Sequence, residues 1–65
     1  MSRASDIMSL GAKDISKKEI SITAEYTCAS LKWLARDLIV YYFHDGSAIM
    51  VTIDEDLQPI EIVSV

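Results

Sequence analysis

Residues 38–54, LIVYYFHDGSAIMVTID, constrain the fold more than any other part of the chain. Two runs rich in β-branched and aromatic residues flank Asp45-Gly46, and an Asp-Gly pair tolerates the positive φ angles of a tight turn. The pattern therefore predicts an antiparallel β-hairpin, and we expect a two-residue type I′ loop.

A two-residue loop also sets the register, because residues directly opposite each other point to the same side of a sheet. One face then carries the pairs Tyr42/Ile49, Val40/Val51 and Leu38/Ile53. The other face carries Phe43/Ala48, Tyr41/Met50 and Ile39/Thr52. The strands of a sheet with one solvent-exposed face should alternate apolar and polar residues. Because both faces are mostly apolar, we expect the second face to be covered by another molecule.

The segment before the hairpin favours a helix over residues 24–37. Its apolar residues fall on one arc at helical spacing, and these are Ala24, Cys28, Leu31, Leu34 and Ala35. The two large aromatics Tyr26 and Trp33 fall on the flank of this arc. They are either part of the core or a hot spot for binding another protein, where Trp and Tyr are enriched.

Residues 19–23, EISIT, allow two interpretations. The alternation of Ile20 and Ile22 with polar residues favours a short edge strand. The spacing Ser16-x-x-Glu19 is instead a capping box, which would start a helix continuous with the one that follows. Further towards the N-terminus, residues 1–18 predict a short helix capped by Ser2 or Ser5, followed by a polar connector.

The C-terminal residues predict a third strand. Pro59 ends a polar turn and tolerates the first position of a strand, and residues 60–65, IEIVSV, follow it. The whole chain, residues 1–65, is then one small α+β domain. We expect one main helix packed on a three-stranded antiparallel meander, with residues 19–23 as a fourth short edge strand under the strand interpretation.

The chain has 65 residues, close to the lower limit for a single core. Such domains gain stability from disulfides, metals or self-association. The only cysteine is Cys28, so no disulfide forms within the chain, and with His44 as the only other good soft ligand we expect no metal or other cofactor. Self-association remains, and we expect a homodimer whose interface includes Tyr41, Phe43 and Met50.

Catalytic patterns are weak, and we do not expect an enzyme. His44 and Asp45 are adjacent, but consecutive residues in a tight turn rarely reach the geometry for proton transfer. Cys28 is best explained as a small buried thiol. The acidic run Asp54-Glu55-Asp56 lacks the glycine and the distal glutamate of a calcium loop, which favours a solvated turn.

Charge is divided unevenly between the two halves of the chain, whose net charge is −4. Residues 1–36 hold all six basic and four acidic side chains, whereas residues 37–65 hold six acidic and no basic ones. This division favours a non-enzymatic acidic binding protein that engages a basic surface of a nucleic-acid-processing protein, as small acidic inhibitors of phages and mobile elements do. The expected partner-binding residues are Asp54, Glu55, Asp56 and Glu61.

The alternative is a dimeric nucleic-acid-binding regulator that uses the basic N-terminal half, with Lys13, Lys17 and Lys18 touching phosphates. No apolar run approaches the roughly 18 residues of a membrane span, and no signal-peptide pattern is present. We therefore expect a cytoplasmic protein that does not bind membranes.

Overall fold

A computed structural model describes residues 2–65 of the protein, with Ala12 described by its backbone alone. The chain begins with helix α1 (Arg3–Met8), a 3-10 helix (Ser9–Lys13) and helix α2 (Lys17–Thr27). Four strands follow: β1 (Ser30–Ala35), β2 (Leu38–Tyr42), β3 (Ala48–Ile53) and β4 (Pro59–Ser64). They form one antiparallel sheet in the order β1-β2-β3-β4. The α+β class is thus confirmed, and the predicted third strand is present as β4.

The predicted helix over residues 24–37 is wrong beyond Thr27, and the edge strand predicted at residues 19–23 is helical. The capping box was the better signal, since the Ser16 hydroxyl accepts a hydrogen bond from the Glu19 backbone N–H at 3.2 Å. The helix ends where Cys28 takes an extended conformation. The helical interpretation failed because apolar residues of the next segment recur at helical and at strand spacing, and pairing with β2 selects the strand.

Phe43 and Ser47 extend the pairing of β2 and β3 by one residue each, which leaves the three loop residues 44–46, so the predicted two-residue loop is wrong. The Gly46 N–H donates to the Phe43 carbonyl at 3.1 Å, and the Phe43 N–H donates to the Ser47 carbonyl at 2.8 Å. Gly46 has φ +87°, which is the left-handed position of a type I turn followed by a bulge. The extra loop residue shifts the register by one, so Tyr41 lies opposite Ile49 and Val40 opposite Met50.

This register reverses the predicted sides of β2 relative to β3. The inner face, which the helices pack on, carries six buried residues: Ile39, Tyr41, Phe43, Ile49, Val51 and Ile53. They form the core with Ala4 and Ile7 of α1 and Ile20 and Ala24 of α2. The outer face carries Val40 and Met50, together with their neighbours Leu38, Tyr42, Ala48 and Thr52.

Tyr41, Phe43 and Met50 therefore do not share an exposed face. Tyr41 and Phe43 are each 4% exposed and belong to the core, whereas Met50 lies on the outer face. A one-residue change of register has this effect because side chains alternate strictly between the two sides of a strand.

The two helices cover only part of the inner face. Helix α2 packs over β4, and α1 packs over β3 and β4. The inner side of β1 is left open, and every residue of that strand is exposed. Among residues 2–65, no helix is long and apolar enough to cross a membrane.

Candidate functional site

An open groove of about 320 Å³ runs between α2 and β1 on the inner face. Its floor is formed by the core residues Ile39, Tyr41 and Ile53. Its sides come from α2 and β1, and its end comes from the turn between β3 and β4. The residues of these walls are Lys18, Ser21, Ile22, Glu25, Leu31, Trp33, Leu57, Gln58 and Pro59.

The groove walls present large apolar side chains to water. Trp33 is 51% exposed and Leu31 is 44% exposed, and both point to the helix side of β1 because they pair with Ile39 and Tyr41. Ile22 of α2 is half-exposed on the opposite wall. Folded proteins rarely expose large contiguous apolar patches, so this groove is the candidate binding site.

Leu57 closes one end of the groove and has an unusual backbone conformation. Its φ is +63°, in the left-handed region that glycine and asparagine favour, and its side chain is 69% exposed. The Leu57 N–H donates to the Asp54 carbonyl, and the Asp54 N–H donates to the Gln58 carbonyl, both at 3.0 Å. The turn between β2 and β3 has the same two hydrogen bonds, with Gly46 in the position of Leu57. A leucine at this position is strained and gains little from burial.

Acidic residues gather at the end of the sheet beside Leu57, where one basic residue, Arg36, lines the same hollow. The turn after β1, with Asp37, lies against the turn after β3, since the Ile53 N–H donates to the Asp37 carbonyl at 2.9 Å. The Asp54 carboxylate organises its own turn by accepting the N–H groups of Asp56 and Gln58, each at 2.9 Å. The side chains of Glu55 and Asp56 are exposed. We call Asp37, Asp54, Glu55 and Asp56 the acidic end.

Two of the predicted partner-binding residues lie elsewhere. Glu61 pairs with Thr52 on the outer face, which is opposite to the face that carries the groove. Tyr26 is 85% exposed on α2 and is not among the residues that line the groove, so it does not form one patch with Trp33.

The three lysines of the alternative hypothesis have separate surroundings. The Lys17 ammonium group donates to the Ile60 carbonyl at 2.9 Å, which ties the start of α2 to β4. Lys18 lines the groove, and Lys13 is exposed at the end of the 3-10 helix. Of the three, the groove is lined by Lys18 and not by Lys13 or Lys17.

Two of the candidate catalytic residues, Asp45 and Cys28, form hydrogen bonds that stabilise the local structure. The Asp45 carboxylate accepts hydrogen bonds from the side chain and backbone N–H of Ser47 and, at 2.6 Å, from the backbone N–H of Arg3. These bonds, with that from the Ser47 hydroxyl as the largest cause, lower the pKa of Asp45 from 3.8 to about 2. Asp45 thus holds the start of α1 against the hairpin turn. The Cys28 thiol donates to the Glu25 carbonyl at 3.2 Å at the end of α2.

Within the described part of the chain, no three His, Cys, Asp or Glu side chains are grouped closely enough to hold a metal ion. The arrangement at the groove is instead suited to contact with another macromolecule, because it combines apolar walls with carboxylates at one end.

Leu31 and Leu57 were not predicted as functional residues. For Leu31 the missed signal was period-two alternation in SLKWLA, which a helical pattern hid. For Leu57 the missed signal was the match between FHDGS and DEDLQ, two five-residue turns with acidic third residues and Gly46 or Leu57 in fourth place.

A scan against protein-family models finds no match, and searches of curated proteins and of solved structures find none either. The function is therefore inferred from the chain's own geometry.

Proposed function

We propose that the protein is a non-enzymatic binding protein whose groove takes an apolar side chain from a basic segment of a partner protein. The acidic end faces lysine or arginine residues of that segment. The observation that carries this proposal is the exposed leucine at position 57, strained and placed between the apolar groove and the carboxylates.

The energetics assign different roles to the two parts of the site. Trp33 and Leu57 supply the affinity, since a buried aromatic anchor dominates most protein interfaces and truncating it costs about 2 kcal/mol or more. The carboxylates are exposed, and each exposed ion pair adds only about 0.2–1 kcal/mol. Their main effect is to steer a basic partner and to exclude an acidic one.

A nucleic-acid-processing protein is a partner class with the required chemistry, because its phosphate-binding surface is basic. The acidic end would occupy the place of phosphates and block that surface. This is the inhibitory mode expected from the division of charge along the chain.

Trp33 is the only tryptophan, so its fluorescence reports on the groove directly. The probe is a synthetic amphipathic peptide of leucine and lysine, titrated into the full chain. We expect a blue shift of the emission as water leaves the indole, and a binding constant that weakens as salt rises, because the carboxylates are screened. The matched control is the same peptide with every lysine replaced by glutamate, which should leave the emission unchanged.

Variants separate the two parts of the site. Leu57→Gly should weaken peptide binding with little change in its salt dependence, whereas Glu55→Gln with Asp56→Asn should reduce the salt dependence. Tyr26→Ser, on α2 outside the groove, should change neither. Equal binding of the basic and acidic peptides, or no shift with either, would refute the proposal.

The nucleic-acid alternative is tested by the same fluorescence titration, with duplex DNA added in place of the peptide. Binding that disappears when Lys13, Lys17 and Lys18 are all changed to Ala, with the peptide response absent, would replace the proposed function by the regulator.

A further inference from the structure

The outer face of the sheet is apolar and bears no helix. Its central residues are Val40, Met50 and Val63, which lie side by side across β2, β3 and β4 in one row. The rows beside it add Leu38 and Thr52 on one side and Tyr42 and Ala48 on the other. We use "outer face" for this whole surface, including the residues at its two edges, Lys32 on β1 and Glu61 on β4.

The buried residues of both helices belong to the core on the inner face, so neither helix packs its buried side chains on the outer face. Val40 and Ala48 are buried without belonging to that core. An antiparallel sheet that keeps one face in water carries polar residues there. Here β2 presents Leu38, Val40 and Tyr42 to that side.

Only two charged side chains belong to the paired rows of the outer face, and they are of opposite sign. Lys32 lies on the edge strand β1, in the row of Val40 and Met50. Glu61 lies on the other edge strand, β4, in the adjacent row. Three strand spacings separate them, about 14 Å, so they are too far apart to pair within one chain.

We propose that a second copy of this chain packs on the outer face, sheet against sheet, about a two-fold axis parallel to the strands. Such an axis places β1 of one copy over β4 of the other. The row of Lys32, Val40, Met50 and Val63 then lies over the same row of the second copy, and each Lys32 lies one row, about 7 Å along the strand, from the partner's Glu61. An axis perpendicular to the strands would instead stack β1 on β1 and bring the two lysines together.

Face-to-face packing fits better than joining of sheet edges. The edge strand β1 carries a register irregularity between Trp33 and Ala35 and a lysine at its centre, and both features hinder the addition of another strand. The second edge strand, β4, carries a similar irregularity opposite Thr52 and Ile53 and an exposed glutamate.

The size of the face predicts a weak dimer. Four strands about 4.8 Å apart, with six residues of about 3.3 Å each, give roughly 400 Å² per copy. Stable interfaces bury about 800 Å² per partner. We therefore expect dissociation in the micromolar range.

The test is sedimentation velocity of the full chain from about 1 to about 500 µM, a range that brackets a micromolar constant. We expect a shift from monomer to dimer across this range. Met50→Lys should sediment as a monomer throughout, because it buries a charge at the centre of the interface. Tyr26→Lys, which adds the same charge to α2, should behave like the original chain.

Exchanging the charges at positions 32 and 61 tests the direction of the two-fold axis. This test leaves the apolar residues at the centre of the interface unchanged. Lys32→Glu or Glu61→Lys alone should raise the dissociation constant about threefold to tenfold, because two pairs are lost. The double variant should restore it. Both positions are exposed, so the fold should be retained, as checked by circular dichroism.

A chain that is monomeric at the highest concentration, or a folded Met50→Lys that still dimerises, would overturn the proposal. Failure of the double variant to recover would overturn the axis. The groove lies on the opposite side of the sheet, so these results do not depend on whether it binds a basic partner, and Trp33 emission should not change on dimerisation.

Discussion

Leu57 and Gly46 occupy the same position in two turns with the same hydrogen bonds. Glycine adopts a positive φ at no steric cost, whereas a residue with a Cβ atom loses about 1–2 kcal/mol in the left-handed region. Leu57 is mostly exposed, so burial does not offset that cost. A side chain kept at the expense of stability is typical of a binding residue.

Leu57→Gly should therefore stabilise the fold by about 1 kcal/mol, which corresponds to a rise of about 4–8 °C in Tm for a chain of this size. The same variant should bind the basic peptide more weakly. Thermal unfolding by circular dichroism measures the first effect. Gly46→Ala is the reverse control: its new Cβ would meet no atom within 4 Å, so a loss of stability there reports backbone strain alone. A lower Tm for Leu57→Gly would contradict the argument.

Asp45 makes the stability dependent on pH through its hydrogen bonds to Ser47 and Arg3. Its pKa falls from 3.8 in the unfolded chain to about 2 in the folded protein. A lowered pKa means that the charged form is favoured by folding. The contribution is therefore complete above about pH 4 and is lost as the pH falls through about 2.

Asp45→Asn should thus unfold at lower urea concentration than the original chain at pH 6, and the two midpoints should converge as the pH approaches 2. The difference between the two midpoints is the quantity to follow, because effects of pH on the rest of the chain are common to both proteins. A gap that stays constant from pH 6 to pH 2 would exclude a role for the charge of Asp45.

At the scale of elements, residues 17–35 have apolar patterns that suit a helix or a strand. The capping box makes the first part helix α2, and pairing with β2 makes the last part strand β1. Ser16 satisfies the Glu19 N–H and so determines where α2 begins. No comparable signal marks where it ends, since Thr27 and Cys28 are compatible with either state. The helix ends there because the residues that follow it form β1, which pairs with β2.

Ser16→Ala should destabilise the protein by about 1 kcal/mol, because one N–H at the start of α2 loses its acceptor. Urea unfolding followed by circular dichroism measures this loss. Ser21→Ala is the matched control within the helix, where alanine is the better helix former, and it should be neutral or slightly stabilising. Equal losses at both positions would mean that the cap contributes nothing specific.

For the molecule as a whole, a 65-residue chain has a free energy of unfolding of about 3–10 kcal/mol. Its fully buried large side chains are Ile49 and Val51, at the centre of the sheet. The groove and the outer face leave much of the remaining apolar surface uncovered. The core residues Ile39, Tyr41 and Ile53 also form the floor of the groove, whereas its walls are exposed and contribute less to stability.

Ile49→Ala should cost about 2–5 kcal/mol and remove most of the stability, since it leaves a cavity in the core. Trp33→Ala should cost less than the roughly 3–5 kcal/mol of a buried tryptophan, because half of the side chain is already exposed. Urea unfolding of the two variants gives the comparison. A larger loss for Trp33→Ala would show that the groove wall belongs to the core.

The sequence alone determined the strands around Asp45-Gly46, the strand after Pro59 and the acidic character of the second half, and it left a helix start at Ser16 as one of two interpretations. These follow from local preferences, which act over a few residues. Tertiary structure decided the loop length, the register and the strand at residues 30–35. Gly46 satisfies either of two turn types, and only packing of Tyr41 and Phe43 under the helices distinguishes them. Strand β1 forms because it pairs with β2, and the pattern of residues 30–35 alone does not show that pairing. The groove and its wall at Trp33 could therefore be recognised only in the folded chain.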